Sequence, residues 1–272
     1  MLNKNQIPLF WWSETRLMGK KKENYGDLLS KYVVEKISGK PVEWVQPKKM
    51  PWYKRNKINF LAAGSIIHHC NSHSTVWGSG IIDRNQKVTN AIFKAVRGPR
   101  TRRYLIDLGY NCPQVFGDPA LLLPLYFQPK GQKKFRFGII PHYHDYQKIE
   151  EIFRDVEGVK VVDLMTLNTE DVTEQIFSCE KVISSSLHGL IVSHAYEIPA
   201  IWVKFSERLF GDGVKFIDYF ESIGVEYGSP SAWCEFKTYE ELECEFHNRI
   251  SLPKKETILR LQKDLIASCP FL

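Results

Sequence analysis

The chain has 272 residues, of which 43% are apolar and 25% charged, and its formal net charge is +6. This composition is typical of a globular protein, and the length suits one large α/β domain or two of modest size. No apolar run approaches the roughly 20 residues that cross a bilayer, which argues against a membrane-spanning helix in this sequence.

The terminus and the cysteines indicate a cellular compartment. Residues 7–12 are apolar but too few for a secretory signal, so we expect a cytoplasmic protein. The six cysteines are widely and irregularly spaced, without a CxxC pair, which argues against a zinc ribbon or a thioredoxin-like site. We therefore expect free thiols at Cys70, Cys112, Cys179, Cys234, Cys244 and Cys269.

The positive net charge is either incidental or matched to an anionic partner such as a phosphate, an anionic lipid or a nucleic acid. The basic run Lys20-Lys21-Lys22 is too short for a nucleic-acid arm, and no recognition motif accompanies it. We expect no nucleic-acid partner. Peripheral contact with a membrane stays open.

The first half of the chain is predicted to mix helices with short apolar strands. Asp27 is placed to cap a helix that runs to about Ile37 and ends at Gly39. A second helix is predicted to begin at Pro99 and to end at Gly109. Between and after them, apolar runs that stop in Gly-containing turns predict strands at residues 58–63, 76–77, 92–96 and 115–116.

The second half alternates strands and helices more regularly, after a candidate linker at residues 124–134. Strands are predicted at residues 135–140, 159–164, 182–183 and 200–203, and helices at residues 145–156, 171–178 and 189–196. Strands that are apolar throughout predict parallel sheets covered on both faces. We predict two Rossmann-like domains, residues 1–128 and 129–250, which face a cleft, and a helix in residues 251–272 that packs back on the first domain.

Ligands of open parallel sheets bind beyond the carboxyl ends of the strands, so the residues after each strand are the first candidates. The most informative segment follows the strand at residues 182–183, where Ser184-Ser185-Ser186 leads into His188 and Gly189 at the start of a helix. The unpaired N–H groups and dipole of a helix N-terminus hold phosphate or carboxylate, and histidine exchanges protons near neutral pH. A serine-capped helix with a structural histidine is the alternative.

Other strand ends offer weaker candidates. Arg97 and Arg100 suit bidentate capture of an anion or, alternatively, a surface salt bridge. The turn at Gly78-Ser79-Gly80 could approach an anion but lacks a phosphate-loop pattern. Lys215 and Asp218 could pair with each other or contact a ligand. His142 and His144 lie too close along a loop, and without a third ligand, to predict a metal site.

Taken in order, several of these segments resemble the polysaccharide pyruvyltransferase family, and most closely its bacterial exopolysaccharide branch. The segments are Asn24-Tyr25-Gly26-Asp27, Trp77-Gly78-Ser79-Gly80, Val96-Arg97-Gly98-Pro99, Phe116-Gly117-Asp118-Pro119-Ala120, Ile140-Pro141-His142-Tyr143, Ser185-Ser186-Leu187-His188-Gly189-Leu190-Ile191 and Ile198-Pro199. Each is weak alone, but their order and spacing over residues 24–224 are fairly specific.

The resemblance implies a two-domain fold like the GT-B glycosyltransferases, with phosphoenolpyruvate as donor and a pyruvate ketal as product. His188 would be the general acid/base. The donor would contact Arg97, Arg100, Ser185, Ser186, Leu187, Gly189 and Lys215, and the acceptor or the cleft wall would involve Asn24, Asp27, Gly78, Ser79, His142 and Tyr143.

One position departs from the family's pattern. Many relatives carry arginine two residues before the histidine, where this chain has Ser186. Arg97, Arg100 and Lys215, in that order, are the predicted substitutes.

The resemblance also implies the partners. No cofactor or metal is expected besides phosphoenolpyruvate as co-substrate, and the acceptor would be a sugar of a surface polysaccharide precursor, carried on a lipid at the inner face of the plasma membrane. Two other functions stay open: a GT-B glycosyltransferase that uses a nucleotide sugar, and a catalytically inactive protein that binds glycan or lipid.

Overall fold

The structure is a computed structural model that describes residues 5–51, 53, 57–206, 211–226, 231–232, 238–246, 249 and 252–272. The first half contains β1 (Ile7–Phe10), α1 (Glu14–Met18), β2 (Glu23–Asn24), α2 (Tyr25–Ser38), β3 (Val42–Trp44), β4 (Asn59–Leu61), β5 (Ser74–Trp77), β6 (Ile92–Ala95), α3 (Pro99–Asp107) and α4 (Leu123–Tyr126). The second half contains β7 (Phe135–Ile140), α5 (Tyr146–Phe153), β8 (Val159–Val161), β9 (Met165–Thr166), α6 (Thr169–Phe177), β10 (Cys179–Ser184), α7 (Leu187–Ala195), β11 (Ala200–Lys204), α8 (Val214–Ile223), β12 (Ser231–Ala232), α9 (Tyr239–Phe246) and α10 (Lys255–Ala267).

Two five-stranded sheets organise the molecule, in the orders β3-β1-β4-β5-β6 and β12-β11-β10-β7-β8. Every strand pair within them is parallel. The carboxyl-terminal parts of the central strands, such as Val76-Trp77, Ile139-Ile140 and Val182-Ile183, are buried, which explains why they are continuously apolar rather than alternating. The predicted fold class is confirmed: this is an α/β fold with two Rossmann-like parallel sheets, of the GT-B-like type.

The two halves share contacts. An antiparallel pair of β2 with β9 joins them, and the hydroxyl of Tyr25 lies 2.8 Å from that of Thr173. One apolar core contains residues of both halves, among them Trp77 and Val182. The helix α10 reaches β5, because Trp77 Nε1 donates to the carbonyl of Leu265 at 2.9 Å. The division at residues 128/129 stays a prediction, and the one at residues 250/251 lies outside the described residues.

Several local predictions were wrong in detail. The cap of α2 is Asn24, whose side chain accepts from Gly26 N, and Asp27 lies in the first turn. Residues 115–116 make a single bridge, between Val96 and Phe116, rather than a strand. The apolar stretch 7–12 contains β1, which lies second in its sheet.

Two expectations concern the whole chain. The five described cysteines are free thiols, as predicted, and Cys234 lies outside the described residues. Within the described ranges, no helix combines the length and the apolar character that a membrane span requires.

Candidate active site

A cavity of about 490 Å³ lies at the point in each sheet where the order of strand addition reverses. In each sheet the chain adds strands on one side and then on the other, so the order reverses between β1 and β4 and between β7 and β10. The segments that follow these four strands supply Trp12, Ser65, His142 and Ser185 to the cavity wall. Loops at such reversal points splay apart and leave a crevice, which is where ligands of parallel sheets bind.

His188 lies in this wall, on the first turn of α7, with 11% of its side chain exposed. Its Nε2 is 3.5 Å from a carboxylate oxygen of Asp118 and has no hydrogen-bond partner among the described residues. Asp118 is held in place because it accepts from the backbone N–H groups of Gly64 and Ala120. Burial alone would raise the pKa of Asp118, but the nearby imidazole and these hydrogen bonds lower it on balance.

The other edge of the imidazole faces Gly26 in α2. A Cβ built on Gly26 would lie 2.1 Å from His188 Nδ1, so no larger residue fits beside the ring. Glycine at this position therefore permits the close approach of α2 and α7 that holds the imidazole between Gly26 and Asp118.

Asp27 also lines the cavity, one residue beyond Gly26. Withdrawal of its carboxyl group from bulk water raises its pKa to about 7, and the carboxylates of Glu14 and Glu23 add to this, while His188 and Lys215 act in the opposite direction. A carboxyl group with such a pKa can donate or accept a proton near neutrality.

The pKa of Asp27 predicts how stability changes with pH. Because the folded-state pKa of about 7 lies above the ordinary value of 3.8, the folded protein binds more protons between these values, and its stability falls as pH rises through that interval. We expect the Tm of Asp27→Asn to fall less than that of the wild type when the pH is raised from 5 to 8. The exposed Asp155→Asn is the matched control. Parallel Tm profiles for wild type and Asp27→Asn would contradict the raised pKa.

Lys215, near the start of α8, is a cation in the cavity wall. Among the described residues its ammonium group makes no ion pair, and it lies 5.4 Å from the centre of the Phe216 ring. Burial lowers its pKa to about 8, with a further contribution from Arg97, while Asp27 acts in the opposite direction. A desolvated ammonium without a partner is suited to an anionic ligand.

The N-terminus of α7 contributes a second positive group. Its N-cap, Ser186, makes no side-chain hydrogen bond to the first-turn N–H groups, which leaves them available. Ser186 and Leu187 line the cavity, as does Ser185, whose hydroxyl accepts from His142 N at 2.8 Å. The helix dipole and the open N–H groups favour an anion here.

Comparison with known proteins identifies the family. The family model for polysaccharide pyruvyl transferase matches residues 34–206. An uncharacterized protein of Acanthamoeba polyphaga mimivirus is 30% identical over 220 residues, which cover 78% of this chain and 75% of the viral one. The chain belongs to the polysaccharide pyruvyl transferase family. The predicted resemblance is confirmed at the level of the family, whose members are transferases acting on polysaccharide; the bacterial branch stays a prediction.

Arg97 lies within the matched segment, but its surroundings differ from those expected of a donor-binding residue. Its side chain is fully buried and does not line the cavity. The guanidinium donates from Nε to Asp218, from Nη2 to the carbonyl of Ile81 and from Nη1 to the hydroxyl of Ser65. Direct contact with a donor would require the loss of these bonds, so Arg97 reaches the cavity only through Ser65.

Four further candidates lie outside the cavity wall. Arg100 forms a bidentate pair with Glu221 on the surface. Ser79 is buried and donates to the carbonyl of Gly64. Gly78 and Gly189 allow close packing, because a Cβ would lie 2.3 Å from Pro119 at the first and 2.4 Å from Ser184 Oγ at the second. The expected ligand contacts of Arg100, Ser79 and Gly78 have no geometric support, and Gly189 contributes only its backbone N–H, in the first turn of α7.

The remaining sequence candidates are brought together. Besides the residues already placed, Asn24, His142 and Tyr143 line the cavity. Burial, with nearby Lys215, His144 and Lys20, lowers the pKa of His142 to about 3, so its imidazole is neutral at pH 7. His142 and His144 join no metal site: no group of three or more His, Cys, Asp or Glu side chains that could hold a metal occurs in the described part of the chain.

Sequence reasoning missed several residues of the site. Asp118 was noted only as part of a turn, although its position after a predicted strand end could have indicated a partner for His188. Trp12 and Glu14 were not considered and Lys20 was noted only as part of a basic run, because β1 was not recognised and its carboxyl end was therefore not searched. Glu14 and Lys20 form an ion pair at 2.8 Å in the wall.

Proposed function

We propose that this protein transfers the enolpyruvyl unit of phosphoenolpyruvate to a sugar of a surface polysaccharide precursor and closes it to a pyruvate ketal. The observation that carries the proposal is the convergence of His188, Asp27, Lys215 and the N-terminus of α7 on one cavity in a member of this family. No resident cofactor or metal is part of the proposal.

The donor brings a phosphate and a carboxylate, and both need positive partners because an unpaired charge is costly to bury. Among the described residues of the cavity wall, Lys215 and the first-turn N–H groups of α7 are positive groups without an ion-pair partner, whereas Lys20 pairs with Glu14. Of the three predicted substitutes for the missing arginine, Arg97 is neutralised by Asp218 and Arg100 by Glu221. We therefore rank Lys215 first, which reverses the order drawn from the sequence.

The chemistry requires one proton to enter and two to leave. Protonation of the enol methylene carbon gives a methyl group and an oxocarbenium-like centre, which the first sugar hydroxyl attacks with loss of its proton. Phosphate then departs with its bridging oxygen, and a second hydroxyl attacks the same carbon and loses its proton. The products are the ketal and hydrogen phosphate, so atoms and charge balance.

Two groups can move these protons. His188, held by Asp118 through the 3.5 Å contact, acts as general acid/base. Asp27, with a pKa near 7, holds a second exchangeable proton in the same cavity. General acid–base assistance of this kind contributes roughly 10² to 10⁴ in rate.

The deciding experiment incubates the protein with phosphoenolpyruvate and lipid-linked or free glycans. We expect release of phosphate together with acid-labile pyruvate on the sugar. Binding of a nucleoside diphosphate without binding of phosphoenolpyruvate would instead favour the glycosyltransferase. Glycan binding with no turnover of either donor would favour an inactive binding protein.

Lys215 gives a specific prediction. Lys215→Met should raise the KM for phosphoenolpyruvate about 10- to 100-fold and leave the acceptor KM nearly unchanged, because a hydrogen bond to a charged group contributes about 1.5–3 kcal/mol. Lys215→Arg keeps the charge and should lose much less. Steady-state kinetics with each substrate varied in turn is the measurement. Equal increases in both KM values would remove Lys215 from the donor subsite.

A lipid-linked acceptor at a membrane surface is a further part of the proposal, motivated by the net charge of +6. Exposed Lys48 and Lys49 lie on the short helical turn Pro47–Lys49. We expect binding to vesicles that contain phosphatidylglycerol at low salt and release at high salt, because ions screen such attraction. Co-sedimentation measures this, and absence of binding at low salt would reject the membrane contact.

A further inference from the structure

One part of the cavity wall is aromatic and contains none of the groups assigned to the donor. Trp12 follows β1, and His68 and His69 form a short 3-10 turn (Ile67–His69) after β4. The rings of Trp12 and His69 are 5.8 Å apart, and those of His68 and His69 are 4.0 Å apart. Phe10 packs beneath His69 at 4.7 Å, so the wall rests on the core of the first sheet.

Not every polar atom of this wall has a hydrogen-bond partner among the described residues. His68 Nδ1 is buried and has no hydrogen-bond partner among the described residues. The Trp12 indole is oriented because its N–H donates to Glu14 at 3.1 Å. A buried nitrogen without a partner is costly, and the residue that carries it lines the cavity.

The environment of the wall favours the neutral form of both imidazoles. Burial lowers the pKa of His69 to about 4, with contributions from His68, Lys48 and Lys49, and lowers that of His68 as well. A neutral imidazole presents one donor and one acceptor nitrogen. A sugar hydroxyl also donates and accepts, so the two groups match, whereas a neutral imidazole offers a carboxylate or phosphate no opposite charge.

A second part of the cavity wall is also aromatic. The ring of Tyr143 lies 4.4 Å from that of His142 and 4.1 Å from that of His144. Lys20 Nζ lies 4.1 Å from the centre of the Tyr143 ring, where Glu14 balances its charge. Indole and phenol rings offer flat apolar faces beside polar edges, which suits the C–H face and hydroxyl rim of a pyranose.

We propose that Trp12, His68 and His69 form the acceptor subsite of this cavity and that its ligand is an uncharged pyranoside. The inference rests on the proposed pyruvyltransferase function. It extends that function because it separates a neutral sugar end of the cavity from the anion end at Lys215 and α7. It also specifies that an acidic sugar is not the acceptor.

Calorimetric titration without phosphoenolpyruvate tests the subsite. The probes are the p-nitrophenyl glycosides of galactose, mannose, N-acetylglucosamine and glucuronic acid. We expect at least one neutral glycoside to bind and the glucuronide to bind more weakly. His68→Phe keeps the ring and removes both nitrogens, and Trp12→Leu removes the flat face; each should weaken glycoside binding about tenfold and leave phosphoenolpyruvate binding within about twofold.

The matched control is His73→Phe, because His73 does not line the cavity and the change is the same. The subsite is wrong if folded His68→Phe and Trp12→Leu bind as the wild type does, if no neutral glycoside binds, or if the glucuronide binds best. Failure of the proposed function looks different: the wild type would then release no phosphate from phosphoenolpyruvate with any acceptor, whatever the glycoside titrations show.

Discussion

His188→Ala should reduce pyruvyl transfer by roughly 10² to 10⁴ while the protein stays folded and still binds phosphoenolpyruvate, because the variant removes proton transfer but leaves Lys215 and the α7 N-terminus in place. The imidazole lies at the cavity wall between Gly26 and Asp118, and Asp118 keeps its hydrogen bonds from the backbone N–H groups of Gly64 and Ala120 in the variant. Phosphate release in the presence of acceptor measures the rate, and thermal melting checks the fold.

His73→Ala is the control for this experiment, since it removes a histidine outside the cavity. A His188→Ala protein with normal turnover would remove the proton-transfer role. A variant that lost donor affinity as well as turnover would instead make His188 part of the donor site. Asp118→Asn gives an independent check: if Asp118 orients the imidazole, this change should lower kcat and shift the pH profile without changing the donor KM.

Arg97→Ala should cost about 3–5 kcal/mol in the free energy of unfolding, because it leaves the buried carboxylate of Asp218 without its charge partner. Both side chains are fully buried, and Asp218 also accepts from the backbone and the hydroxyl of Thr101. Urea unfolding monitored by circular dichroism is the measurement. A double variant, Arg97→Met with Asp218→Asn, removes the unpaired charge and should recover part of the loss.

Arg100→Ala is the control, because its partly exposed pair with Glu221 is worth less than about 1 kcal/mol. This experiment separates the two roles considered for Arg97. If Arg97→Ala is as stable as the wild type but has a much higher donor KM, the result would support the direct donor contact predicted from the sequence. A loss of stability would show that Arg97 has a structural role, in which it positions Ser65 and α8.

The pattern of apolar runs determined most of the architecture. Continuous apolar segments that end in glycine, serine or histidine predicted the strands β4, β5, β7, β10 and β11, and hence two parallel sheets. Local patterns suffice here because the stretch of a strand that is buried on both faces is mostly apolar and does not alternate. The strand β1 was missed because the apolar run 7–12 was weighed only as a secretory signal, and β3 was missed because Val42–Trp44 contains Glu43 and is not an apolar run.

The sequence predicts only part of the candidate site, for a related reason. His188, Ser185 and His142 follow strands that the sequence reveals, so the apolar pattern alone predicts their place at a sheet edge. The apolar pattern does not predict whether Arg97 and Lys215 have an ion-pair partner. The partner of Arg97 lies more than 100 positions away along the chain, and Lys215 has none among the described residues. Asp218 therefore neutralises Arg97, whereas Lys215 keeps a charge that no described carboxylate pairs with.

The sequence by itself therefore determined the family, the two parallel sheets and the histidine at the start of α7, since these depend on residues that are neighbours along the chain. Only the tertiary structure decided which cation faces the cavity, which carboxylate touches the imidazole and which wall is aromatic. Those properties depend on burial and on charges brought together from α2, α7, α8 and the loops after β1 and β4. Burial and long-range charge pairing exist only after the chain has folded.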